Sequence, residues 1–280
     1  MGRKQNAEPD AKRRGWRTGV RYALYSAAAL ALVIAALAVY STVDQFLASD
    51  PRFLLAGAAA DGGESPALRI EGAEFTARGR IMGAFAGDYG RSLYLMPLAE
   101  RRRALLAIDW VRDATVSRLW PDRVLVKIVE RKPVAFVQLP EDRGSHSMSE
   151  VALIDAEGVI LAQPPRARFT LPVLSGIRRQ QPQPQRRQRV TVAMRLVGEL
   201  GEMAGQLSEI DVSDPENVKI IQPAEGRMVL LMLGNRNFLT RLRNFVTHYP
   251  EIQKRLPSAV TFDLRLDDRI TALREDARGG

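Results

Sequence analysis

The chain has 280 residues, of which 46% are hydrophobic and 26% charged, the balance of ordinary globular domains rather than of a disordered or polytopic membrane chain. It contains no cysteine, which excludes disulfide scaffolds, thiolate zinc sites, iron–sulfur clusters and cysteine nucleophiles together. The net charge of +9 would indicate nucleic acid or anionic lipid if it were spread over a surface, but Arg3, Lys4, Lys12, Arg13, Arg14, Arg17 and Arg21 against Glu8 and Asp10 place +5 of it in residues 1–21.

That basic tail is followed by Tyr22 to Val43, 22 residues without a charge. A helix needs about 20 mostly apolar residues to cross a hydrocarbon core of about 30 Å, and Trp16, Tyr22, Tyr25 and Tyr40 stand near its ends, where amphipathic rings favour the interface. With the cations Arg13, Arg14, Arg17 and Arg21 on the N-terminal side, the positive-inside rule keeps residues 1–21 in the cytoplasm, with anionic lipid headgroups as their natural contact, and sends the rest outward. A cleavable signal peptide is the rival reading, since Ala36-Leu37-Ala38 has the small-x-small form, but a signal h-region runs about 7–15 residues and this one is longer. A buried helix of a soluble protein would carry a polar stripe.

Residues 44–66 read as a linker ending in AGAAADGGESP. A first folded unit is expected over 67–140. It has a strand at Leu68-Arg69-Ile70, a helix from Thr76 with Ile81, Ala84 and Phe85 on one face, and a Gly-containing loop GDYGRS. A second helix opens at Pro97, with Leu98, Leu105 and Ile108 inward and Arg101, Arg102 and Arg103 mostly in solvent. Period-two patterns predict strands at Val111–Leu119 and Val124–Glu130, joined by Trp120-Pro121-Asp122-Arg123, and a third at Val134–Leu139 after Lys132-Pro133. The unit reads β-α-α-β-β.

A second unit over 150–273 starts with a hairpin, Val151–Ile154 and Val159–Leu161 around Asp155-Ala156-Glu157-Gly158, then an extended Leu171–Gly176. The basic, Pro- and Gln-rich stretch Arg178–Arg189 reads as a mobile solvated loop. A helix follows at Val190–Gln206 with Val192, Leu196, Leu200 and Met203 on one face. Strands are expected at Ser208–Val212, Val218–Gln222 and Met228–Leu233, then a helix at Asn237–Tyr249, a strand at Ala259–Leu266 and a partner strand at Arg269–Leu273, ahead of a tail at 274–280. The fold class is α+β: one transmembrane helix, a β-α-α-β-β domain and a second, mainly antiparallel domain.

The search for catalytic chemistry finds little. His146 lies in a polar loop and His248 near a helix end, about a hundred residues apart and without a ligand cluster, so neither zinc nor acid–base work is supported. G-x-S-x-G, H-E-x-x-H, S-x-x-K and P-loop motifs are missing. Asp263, Asp267 and Asp268 stand beside Arg265, where ion pairing explains them better than catalysis. No cofactor, metal or enzymatic role is expected, and no nucleic-acid partner. The feature suited to contact is the terminal strand: at a sheet edge its unpaired N–H and C=O groups would accept a strand from another chain.

The residues Trp110-Val111-Arg112-Asp113-Ala114, Val116–Asp122 and Val124–Ala135 resemble the FtsQ/DivIB cell-division family. Leu153–Gly158, Leu171–Gly176, Leu233-Gly234, Arg241–Phe245, Tyr249-Pro250 and Val260–Arg265 follow in matching order. The first unit looks like a POTRA (polypeptide-transport-associated) domain. The resemblance implies a non-enzymatic inner-membrane scaffold at the division septum that binds FtsB, FtsL and other divisome proteins and links them to septal peptidoglycan synthesis. It implies a partner-binding strand drawn from Phe262, Leu264, Arg265, Leu266, Asp268, Arg269, Ile270 and Ala272, with Arg265 facing an acidic side chain. Leu266 stands where such members often carry an aromatic, and Asp268-Arg269 replaces a Ser-Gly-like pair. The alternative is a POTRA-type chaperone or adaptor for outer-membrane protein export, for which the chain offers no barrel of its own. A membrane-anchored hydrolase would require a cleft with perturbed carboxylates.

Overall fold

The structure, a computed structural model, describes residues 10–57, 65–140, 150–165 and 167–273, with side chains from residue 21 onward. His146 therefore lies outside the described residues. The chain divides into two compact units. The first comprises Met1–Ile70, Met82–Arg101 and Val116–Val126, and the second Glu71–Ile81, Arg102–Thr115 and Lys127–Gly280.

Helix α1 (Asp10–Ser49) carries the apolar run, and Arg21–Ser49 is long and apolar enough to cross a membrane. It does not stop at Val43. The stretch expected to be linker begins as six further helical residues and a 3-10 turn at Pro51–Phe53, which the Asp50 carboxylate caps by accepting from the Arg52 N–H. Strand β1 (Leu68–Glu71), helices α2 (Arg78–Gly83) and α3 (Leu98–Leu106), and strands β2 (Val111–Leu119) and β3 (Arg123–Glu130) follow in the expected order and give a three-stranded sheet β1-β3-β2. The α2 helix starts two residues later than expected because the backbone N–H groups of Phe75 and Thr76 donate to the Glu130 carboxylate at 3.0 and 2.6 Å. Arg101 is not left in solvent; its Nε lies 2.6 Å from the buried Asp88 carboxylate.

Strand β4 (Pro133–Leu139) belongs to a different sheet from β2 and β3. It pairs antiparallel with β5 (Glu150–Asp155) and parallel with β7 (Val173–Ser175), while β6 (Ile160–Leu161) closes the β5 hairpin. The strand stands where the alternation predicts it, but in the second sheet and not with the first unit. Lys132-Pro133 marks the crossing from one sheet to the next.

Arg178–Arg189 is likewise corrected, because helix α4 (Gln183–Leu200) takes up its second half. Proline in a first helical turn costs nothing, its missing N–H being unpaired there anyway, and Arg and Gln are good helix formers. The helix is held down as Arg186 Nε donates to the Gly158 carbonyl at 2.8 Å. Gly158 has φ +78°, and a Cβ there would stand 2.5 Å from the Arg187 backbone nitrogen. The inward face of α4 is Val190, Ala193, Leu196 and Leu200; Val192 and Met203 are only partly buried, and Gly201–Gln206 is a 3-10 turn.

The rest of the nine-stranded sheet is β8 (Glu209–Asp211), β9 (Val218–Ala224), β10 (Arg227–Gly234), β11 (Thr261–Asp263) and β12 (Thr271–Leu273), in the order β12-β11-β10-β9-β8-β7-β4-β5-β6. Five of its eight pairings are antiparallel. Helix α5 (Phe238–Arg255) runs a turn and a half beyond the expected end, through Pro250. It buries Phe238, Leu242, Phe245 and Tyr249 with α4 against Ile220, Val229, Leu231 and Phe262. A second cluster forms around Trp110, Leu153 and Leu161, where Trp110 Nε1 donates to the Ala162 carbonyl at 2.9 Å.

Candidate partner-binding site

The terminal strand is shorter than its sequence implies. Only Thr261–Asp263 is β11, pairing parallel with Leu230–Met232, and only Thr271–Leu273 is β12, pairing antiparallel with β11. Among the described residues β12 stands at the end of the sheet, with the side of it away from β11 unpaired by any strand. The expected strand 259–266 breaks after Asp263, whose carboxylate accepts from the Arg265 backbone N–H at 3.0 Å and from Arg265 Nε and Nη2 at 2.9 and 2.7 Å. This local turn competes with strand continuation.

Residues 264–270 run alongside α5 and are tied to it. Arg241 Nε donates to Asp267 Oδ1 at 2.6 Å, and its Nη1 donates to the Leu233 carbonyl at the same distance. Asn237 Nδ2 donates to the other Asp267 oxygen at 3.0 Å. Arg241 is buried although charged, a placement tolerated only because both ends of its guanidinium are hydrogen-bonded. Room for it comes from Gly234, at φ +72°, where a Cβ would meet Arg241 Nη1 at 3.0 Å and Arg265 Cγ at 3.4 Å. The Arg241 guanidinium holds the Asp267 carboxyl below its ordinary range, and Arg265 does the same for Asp263. The Asp263 carboxylate in turn raises Arg265.

The eight predicted strand residues separate by exposure. Phe262 and Leu264 are buried core residues, Phe262 lying 5.1 Å from the Phe245 ring and 6.0 Å from that of Tyr249, centroid to centroid. They pack in the core behind the edge. Ile270 and Ala272 are half-buried against the same core. Arg265, Leu266, Asp268 and Arg269 are exposed, Leu266 at 56%, with Arg269 Nη2 3.3 Å from Asp268. Beside them lies an open groove of about 280 Å³, lined by Asn244, His248, Glu251 and Arg255 of α5 and by Asp268 to Ile270. His248 Nδ1 is 2.8 Å from the Asn244 carbonyl. Of the topology residues, Arg21 is exposed at the head of the apolar run; Arg13, Arg14 and Arg17 lie on the α1 backbone, their side chains outside the described residues. Among the described residues no group of three His, Asp or Glu side chains could hold a metal ion.

Arg241 and Asp267 are the residues the sequence reading passed over as a pair. The available signal was an arginine set inside the apolar stripe Phe238, Leu242, Phe245, Tyr249, where a charge must have a partner.

The architecture defines a class: one N-terminal apolar helix ahead of a POTRA-type unit and an α+β unit with an open edge. The family model for the FtsQ-type POTRA domain matches residues 67–131, and that for the cell division protein FtsQ/DivIB C-terminal region matches 145–265. Cell division protein FtsQ of Koribacter versatilis is 38% identical over 213 residues, 74% of this chain and 59% of that protein. Its namesake in Novosphingobium aromaticivorans is 29% identical over 206 residues, 72% and 59% of the two chains, and that of Bordetella pertussis 36% identical over 61 residues, 22% of each. The chain thus spans well under two thirds of the length of these relatives. It belongs to the FtsQ/DivIB family of cell division proteins.

Proposed function

We propose that this protein is a non-enzymatic, bitopic inner-membrane scaffold of the bacterial division complex, its N-terminus cytoplasmic and its folded units periplasmic. In this reading it works at the septum by binding FtsB and FtsL and linking them to peptidoglycan synthesis. The observation that carries it is the open edge at β12, bordered by exposed Arg265 and Leu266. A strand from FtsB adds there through main-chain hydrogen bonds, with the side chains along β12 deciding which strand fits. Arg265, already charge-paired on one side with Asp263, offers its remaining donors to an acidic side chain of the partner, and the groove along α5 takes flanking residues. The N-terminal basic residues hold the topology and meet anionic headgroups of the cytoplasmic leaflet.

The test is co-purification of FtsB with the full chain and with Arg265→Glu and Ala272→Asp variants, each checked for folding by thermal melting. Folded variants that lose FtsB support the edge; folded variants that retain it wild-type fashion remove the interface. Mid-cell fluorescence with filamentation on depletion is the expected cellular result, and a diffuse envelope signal with normal division overturns the septal role.

A further inference from the structure

Within the first compact unit, the 3-10 turn at Leu93–Leu95 is seated on the end of α1 at a definite depth. Ser92 Oγ donates to the Leu47 carbonyl at 2.6 Å, and the Tyr94 hydroxyl bonds the Asp44 carboxylate with the Tyr40 ring nearby, so Tyr94 is pushed up from its ordinary pKa by Asp44. Arg118 clamps the same 3-10 turn (Leu93–Leu95) by donating to the Leu93 and Met96 carbonyls, both at 2.7 Å. A second tie is aromatic: Phe46 meets Phe53 at 5.7 Å and Phe53 meets Trp120 at 5.6 Å, both edge-on.

These contacts set a height. The charge-free run ends at Val43; at a rise of about 1.5 Å per residue, Asp44 to Leu47 lie within about 6 Å of it, which is the thickness of a headgroup layer, about 5–7 Å. A turn bonded to Asp44 and Leu47 is therefore at headgroup level. Yet Leu95 is 61% exposed, Trp120 51% and Phe46 47%, and the Arg52 and Arg123 side chains are exposed too, Arg52 paired with Asp50 at 3.0 Å and Arg123 3.8 Å from Asp122. An exposed leucine and tryptophan with arginines is the composition of a surface that enters a membrane interface, where tryptophan is favoured and guanidinium groups reach phosphate.

We infer that the first unit rests on the bilayer surface where α1 emerges, with Leu95 and Trp120 inserted among the lipid headgroups. The occupant is the bilayer itself, because the surface continues directly from a helix that enters it. The placement rests on α1 crossing the membrane, and the test separates the two. The chain has no cysteine, so single nitroxide labels can be set at Leu95→Cys, Trp120→Cys, Ile34→Cys and Lys254→Cys in full-length protein reconstituted into phosphatidylethanolamine–phosphatidylglycerol vesicles. The readout is collision with oxygen against collision with a water-soluble nickel chelate. Labels at 95 and 120 are expected to show an oxygen-to-chelate ratio several-fold above that at 254 and below that at 34. Ratios at 95 and 120 equal to that at 254, with 34 still lipid-like, overturn the surface contact alone. Labels at 95 and 120 shielded from both quenchers overturn it in favour of a protein neighbour, and an aqueous label at 34 overturns the membrane crossing and the contact with it.

Discussion

The interior of the nine-stranded sheet and its β12 end are built from the same polymer but held by different forces. β9 and β10 pair from Val218 to Ala224 against Arg227 to Gly234, and Ile220, Val229 and Leu231 are wholly buried beneath them. At the other end β11 and β12 share three residue pairs, and the seven residues between them are fastened by Arg241, Asn237 and Asp263. Ladder and core burial resist local opening, whereas a few charged hydrogen bonds can be undone one at a time. The contrast places the separable part of the domain at the edge where a partner strand would arrive.

Several changes would break or sharpen this contrast. Phe262→Ala removes the ring packed on Phe245 and Tyr249, and should cost about 3–5 kcal/mol in a urea melt, because β11, the strand beside the edge, does reach the core. Arg241→Leu should cost about 2 kcal/mol through the unpaired Leu233 carbonyl, and hydrogen exchange should quicken over 261–273 while β9 and β10 keep their protection. Equal quickening in both places would erase the distinction. Acid should act in the same place. Asp263 and Asp267 have native pKa values below the ordinary one, so their ties are complete above about pH 4 and are lost as pH falls through the lower native values; amides of 264–273 should loosen first in an acid titration followed by NMR. In Arg241→Leu the part of this response due to Asp267 should shrink to what the Asn237 hydrogen bond still holds. Arg265→Ala, at the surface, should shift stability by less than about 0.5 kcal/mol in the same melt, leaving any effect on FtsB binding readable as an interface effect.

Where alternation was strong the elements could be read directly. Val124, Val126 and Ile128 are buried and Lys127 is not, and Val111–Leu119 has the bounds of β2. Alternation says which face is buried and nothing about which sheet receives it, so sequence order alone groups β4 with β2 and β3. Composition misled at 178–189: prolines there initiate a helix, and its docking depends on Gly158, nearly thirty residues away. The candidate site was legible as a location. Its mechanics were not, since Arg241 and Asp267 meet only after α5 and the 264–270 loop have folded, and since apolar Phe262 and Leu264 look identical in sequence whether they face a partner or the core.

Helix α1 has no break between the apolar run and Ser49, and Ser92 grips it at Leu47. The azimuth of the Leu93–Leu95 turn around the α1 axis is thus set by a residue count. One residue added between Val43 and Leu47 would rotate the turn that grips Leu47 by about 100° relative to the apolar run and lift it by about 1.5 Å, whereas a flexible tether would absorb the insertion unnoticed. The 3-10 turn at Leu93–Leu95 is therefore indexed to the register of α1 instead of hanging from a slack connection.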